Sequence, residues 1–215
     1  MDTSKGTIEV NLARAELAAA GGAGKDTRHL LTATLIYPRP GVAARSRVVA
    51  LALENGRADW SARAWSDRIV FKENVEGPFA LRVEISYALE ADTLKRILEA
   101  VTSAALNAAG SGIEDAVSKG WGSDLAGPPI DLIEKAGSLS GGDSRGYLAA
   151  GVVDLALDDT WKGGDLRCLR IPVRTREDVQ IMERRMVGGR MVSEPRTVVK
   201  ANESLGFLEL DIKRY

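Results

Sequence analysis

Residues 78–87 read PFALRVEISY, and their alternation decides the fold class. Phe79, Leu81, Val83, Ile85 and Tyr87 fall at every second position, with Ala80, Arg82, Glu84 and Ser86 between them. A β-strand sends successive side chains to opposite faces, so this spacing predicts a strand with one face on a core and the other toward solvent. The same period recurs in residues 7–17, 30–37, 47–53, 68–72, 147–157, 166–173 and 205–212. Turn chemistry separates the runs: Asn55-Gly56 suits a two-residue hairpin with positive φ, and Pro38-Arg39-Pro40-Gly41 reads as a loop. Eight or more short strands punctuated in this way predict a mainly β, antiparallel sandwich, built as a single domain over residues 1–215.

One segment departs from that period. From Leu94 the apolar residues fall at 94, 97, 98, 101, 105 and 108, with Lys95, Arg96, Glu99, Thr102 and Asn107 on the other side, which is the pattern of an amphipathic helix. Asp92 or Thr93 can cap its start and Gly110 can end it. A shorter helix is expected after Pro128-Pro129, followed by the linker GSLSGGDSRG at 137–146. Residues 91–145 are therefore read as a helical insertion that caps an open end of the sandwich. A membrane-binding role fits less well, because the exposed side lacks Trp and Phe. Ala100, Ala104, Ala105 and Ala108 instead permit the close approach of another protein backbone.

The composition excludes several classes of partner. Lys and Arg number 29 against 30 Asp and Glu, a formal net charge of -1, so no whole-molecule field selects nucleic acid. No stretch approaches the roughly 18 apolar residues of a membrane helix, and an integral membrane protein is not expected. The start MDTSKGTIEV lacks the basic and apolar regions of a secretion signal, and the single cysteine, Cys168, has no intramolecular partner. A cytoplasmic setting is the expectation.

Catalytic motifs are weak. GGAGKD at 21–26 lacks the leading glycine and the Ser or Thr of a phosphate loop, and strand-like sequence follows it rather than a helix. His29, the one histidine, is expected to be a surface or half-buried structural residue, and Cys168, within LRCLRIPV, a small buried core residue. GSLSG at 137–141 is no nucleophile elbow, since its centre is Leu139. A hydrolase using carboxylates brought together by the fold remains as an alternative without a spacing signature.

The most metal-like group is Asp154, Asp158, Asp159 and Asp165 in VVDLALDDTWKGGDL. Calcium takes six to eight oxygen ligands, which acidic loops at a sandwich end can supply. The sandwich expected here is C2-like or jelly-roll-like in outline, and a C2-like calcium and phospholipid module is an alternative function, with peripheral membrane contact. The spacing matches no EF-hand, and a solvated turn explains the same residues.

The strongest functional clue is RRMVGGRMVSEPR at 184–196. Gly188-Gly189 is suited to close a two-residue hairpin, giving a hairpin arm over residues 176–196, although residues 177–187 also fit a helical turn. Between residues 162 and 200 the basic residues exceed the acidic by five, in an otherwise neutral chain. Such an arm buries little by itself, so it is expected either to fold back on its own domain or to contact a partner through Arg184, Arg185, Met186, Arg190, Met191 and Arg196. The expected function is a non-catalytic protein-binding or assembly module without a cofactor, joining a protein partner or a second copy. Absence of aromatic residues from the arm disfavours nucleic acid.

Overall fold

The structure, a computed structural model, describes residues 5–18, 26–38, 42, 44–89, 91–92, 94–99, 147–158 and 160–215. Its strands are β1 (Lys5–Leu17), β2 (Thr27–Ile36), β3 (Arg45–Leu53), β4 (Arg57–Asp59), β5 (Ile69–Glu76), β6 (Pro78–Ser86), β7 (Tyr147–Ala156), β8 (Leu166–Thr175), β9 (Val179–Val187), β10 (Arg190–Val199) and β11 (Ser204–Arg214). A single 3-10 turn, Trp65–Arg68, precedes β5 among the described residues. Every strand pairing is antiparallel, as the alternating patterns require.

The expected pair of stacked sheets is replaced by one continuous nine-stranded sheet that curls into a nearly closed barrel, in the order β3-β2-β6-β7-β8-β11-β1-β4 with β5 also on β1. Strand β1 makes this possible, because one of its edges takes β11 while the other takes β5 along residues 5–11 and β4 along residues 14–16. A bulge between Leu12 and Arg14 changes the facing between those two stretches. Closure comes from the predicted Asn55-Gly56 turn, with φ values of 52° and 77°, which joins β3 to β4 through the Glu54 and Arg57 bridge. The Leu17 amide donates to the Gly56 carbonyl at 2.8 Å, and a β-carbon on Gly56 would stand 2.4 Å from the Leu17 carbonyl oxygen. Glycine is therefore required both by the turn and by its seat against β1.

The barrel is filled. Ile8 and Val10 of β1, Leu31 and Leu35 of β2, Leu81, Val83 and Ile85 of β6, Ile171 and Val173 of β8, and Leu208 and Ile212 of β11 are all fully buried in one cluster. Phe79, Leu81, Val83 and Ile85 thus form the inward row expected of β6, while Tyr87 lies just beyond the strand and is half-buried. The opposite face of β6 is not solvated as its polarity suggested: Glu84 is only 3% exposed and pairs with Arg82 at 2.6 Å. On the same outer side, Leu94 and Ile97 pack on Leu30 of β2 and Val48 of β3. Residues 94–99 are helical, as the periodicity predicts, and the remainder of the proposed 91–145 insertion lies outside the described residues, apart from residues 91–92.

Strands β7 and β8 pair only at Ala149 with Thr175 and Ala150 with Arg174. Beyond that point the connecting segment brings Leu157 and Trp161 into the core cluster, with Trp161 fully buried. Arg214 fixes this segment, donating to the carbonyls of Asp158, at 3.1 Å, and of Trp161.

Candidate functional site

Gly188 and Gly189 close the predicted hairpin with φ values of 56° and 80°, the paired positive angles of a type I′ turn. The strand form over residues 177–187 prevails over the helical one, with Val179–Val187 paired to Arg190–Val199. These two strands form a sheet of their own, separate from the barrel.

The root of the arm is firmly held. Val199 is buried and Val179 packs against the barrel core. The Thr175 hydroxyl donates to the Lys200 carbonyl at 2.8 Å, the Asn202 amide to the Thr175 carbonyl at 2.9 Å, and the Ala201 amide to the Asp178 carboxylate at 2.8 Å. Past the root the arm leaves the barrel, and nine residues of β9 at strand rise carry it out by about 30 Å. A β-carbon on either turn glycine would meet nothing within 4 Å.

Register sorts the six candidate residues into two sets. Directly opposed residues share a face, so Met186 with Met191, Arg184 with Ser193 and Met182 with Pro195 line one side. Val187 with Arg190, Arg185 with Val192 and Glu183 with Glu194 take the other, and Arg196 falls on it by the same alternation. On this second face the two opposed glutamates each find a diagonal arginine: Arg185 pairs with Glu194 at 2.7 Å and Arg196 with Glu183 at 3.5 Å. Exposed pairs of this kind are worth about 0.2–1 kcal/mol each, and they support register more than stability. The first face is apolar and uncovered, with Met182, Met186 and Met191 exposed by 64%, 62% and 64%. Arg184 stands among them without a carboxylate partner among the described residues.

The other candidates are placed differently from the sequence reading. His29 is fully buried inside the barrel rather than at its surface. Its Nδ1 lies 2.9 Å from the Ser86 carbonyl, which can only accept, so Nδ1 carries the proton and Nε2 accepts from the Thr27 hydroxyl at 3.0 Å. Burial lowers its pKa, with the Ser86 carbonyl opposing, and so favours the neutral ring. Cys168 is exposed rather than buried, because it lies on the outer side of β8 opposite Asp211. Desolvation, and then the charges of Asp211 and Glu209, raise its thiol pKa, the reverse of what an activated nucleophile needs.

Two of the four aspartates are engaged in turns. Asp158 accepts from the Thr160 amide and hydroxyl, and Asp165 accepts from the Lys162 amide. Asp154 lies on β7 with an exposed side chain, and Asp159 lies outside the described residues, as do residues 21–25 of the GGAGKD stretch. No three potential metal ligands converge among the described residues.

A cleft of about 820 Å³ lies beside the β3 and β4 hairpin, bordered by Arg14, Arg28, Arg57, Arg63, Glu16, Asp26, Glu54 and Asp59. Arg14 pairs there with Asp59 and Arg57 with Glu16. Glu84, whose carboxyl pKa is raised by burial, does not line this cleft.

A polar latch on the outer face of β1 had no signal in the sequence. Glu9, 2% exposed, accepts from the Trp65 indole and from the Tyr215 hydroxyl at 3.1 Å, while Arg68 bonds the Leu12 carbonyl at 3.2 Å and Asp211 at 2.9 Å. Its members are up to 206 residues apart in sequence, and only the barrel brings them together. The chain matches no protein-family model and no curated protein sequence.

Proposed function

We propose that this protein is a non-catalytic binding or assembly module, in which the barrel is a rigid mount and the β9 and β10 arm docks a protein partner. The observation that carries this reading is the uncovered methionine face on a firmly rooted arm. Methionine suits an adaptable contact, since its unbranched side chain fits irregular apolar surfaces. Full burial of such a side chain is worth roughly 1.5–3 kcal/mol, so the three together supply on the order of 5–9 kcal/mol before the costs of association. That is enough for a specific contact only if polar interactions add to it. The exposed, unpaired Cys168 suits a reducing compartment such as the cytoplasm.

The test compares the intact chain with one in which residues 181–197 are replaced by a tight turn. Light scattering reads self-association, and affinity capture with both proteins side by side reads partners. The proposal expects contacts that the intact chain keeps and the shortened chain loses at an unchanged barrel melting temperature. Association that survives removal of the arm refutes it.

A further inference from the structure

We infer that the arm receives its partner as an added strand: an extended acidic peptide segment laid antiparallel along the free edge of β9, with a carboxylate facing Arg184 and apolar residues on either side of it. The inference rests on the contact-arm reading above and names the kind of partner that reading requires.

Three observations carry it. The first is the edge itself. In a hairpin closed by two residues, Val187 and Arg190 exchange hydrogen bonds, and bonding then alternates along the ladder. Gln180, Met182, Arg184 and Met186 therefore turn their backbone amide and carbonyl groups outward, and β9 pairs only with β10 among the described residues. Unmatched strand edges of this kind are templates for another strand.

The second observation is the asymmetry between the two edges. On β10 the outward positions are Met191, Ser193, Pro195 and Thr197, and Pro195 has no amide hydrogen to give. Proline at that position blunts the β10 edge, whereas β9 retains every outward donor.

The third is charge. Glu183 and Glu194 both lie on the opposite face and are paired to Arg185 and Arg196, so the methionine face has one cation, Arg184, and no anion. A second copy added along β9, or stacked methionine face to methionine face, would bring another Arg184 to that face and no carboxylate. An acidic segment neutralises it. The occupant is therefore a heterologous strand, whose side chains at alternate positions face Met182, Arg184 and Met186.

The probes are nine-residue blocked peptides of alternating leucine and threonine, with leucine at the odd positions and the central leucine replaced by glutamate, glutamine or lysine. Binding to the full chain is read by fluorescence anisotropy of labelled peptide and by the amide resonances of residues 180–186. The glutamate peptide should bind about tenfold more tightly than the lysine peptide, the difference between an opposite-charge and a like-charge cross-strand pair. Arg184→Ala should remove that preference while Arg190→Ala retains it. N-methylation of the third and seventh residues, whose amides face β9, should abolish binding. The same change at the fourth and sixth residues should be tolerated.

Equal binding of the three peptides, equal cost of the two methylation patterns, or no binding at all overturns strand addition. Concentration-dependent dimerisation through residues 180–186 that competes with the glutamate peptide overturns the heterologous occupant in favour of a second copy. If the arm-shortened chain loses its partners but the peptides show no preference, only the strand-addition inference falls; if it keeps them, both fall.

Discussion

Trp161 offers the most direct test of how the barrel is sealed. β7 and β8 pair only at Ala149 with Thr175 and Ala150 with Arg174, and the segment that connects them carries the fully buried Trp161 side chain into the barrel core. Its indole nitrogen donates to the Asp165 carbonyl at 3.4 Å, and the Arg167 guanidinium lies 4.6 Å from its ring centre. Trp161→Ala removes the largest fully buried side chain among the described residues and leaves a cavity bounded by strands that are hydrogen-bonded elsewhere and cannot collapse far. The expected cost is about 3–5 kcal/mol. In a chain of 215 residues each kcal/mol lowers the melting temperature by roughly 2–4 °C, so the midpoint should fall by roughly 6–20 °C.

Urea denaturation gives the free energy and calorimetry the midpoint. Arg167→Ala is the control, since it removes the partly exposed cation over the ring, worth about 0.5–1 kcal/mol, together with exposed contacts to Thr160 and Asp158 and no buried volume. If Trp161→Ala costs no more than this control, the tryptophan does not hold the connecting segment in the core.

Three further outcomes follow from named contacts. Val83 is fully buried between Ala33 and Gly151, so Val83→Asp should cost about 3 kcal/mol or more through an unpaired core charge, and a mild effect in urea would refute the inward facing of β6. At Gly206, with φ 152°, a β-carbon would lie 1.9 Å from the Glu16 carbonyl oxygen, whereas at Gly189 it would meet nothing; Gly206→Ala should cost more than about 2 kcal/mol and Gly189→Ala only about 1 kcal/mol, compared by thermal melting. Burial raises the Glu84 carboxyl pKa, with Arg82 opposing, so the folded chain holds that proton more tightly than the unfolded chain and loses stability as pH rises through the carboxylate range. Glu84→Gln should therefore gain on the parent as pH climbs to the raised pKa and hold its gain above it, and a difference independent of pH refutes this.

Much of the fold was legible because period-two alternation survives wherever one face of a strand is buried. The runs at 78–87, 147–157 and 166–173 fall within a few positions of their strands. Alternation reports that a face is covered, however, and not what covers it. A sandwich and a barrel bury the same inward rows, and the choice here lies in how β1 divides one edge between β4 and β5. The short β4 has too few residues to show a period, and β6 gave no sign that Glu84 on its polar side would be buried. The apolar neighbours of Cys168 suggest burial, although counting by twos from Ile171 and Val173 places it with Arg170 and Arg174 on the outer side. The same count from Leu31 and Leu35 would have placed His29 inside.

The arm was legible at its turn and not in its faces. Counting outward from Gly188-Gly189 already divides Arg184 and the methionines from Arg185, Arg190 and Arg196, yet the sequence reading took all six candidates as one surface. The division matters because the barrel makes little demand on these residues. Val179 and Val199 are held by the core, and a β-carbon on a tip glycine would meet nothing, so residues between root and tip contribute to the barrel mainly through the ladder that joins them. A hairpin shaped only by solvent would favour threonine and charged side chains on both faces. This one pairs its charges on one face and leaves three methionines around an uncompensated arginine on the other. Its own folding gains little from that arrangement, and docking against an apolar, acidic strand gains from both parts of it.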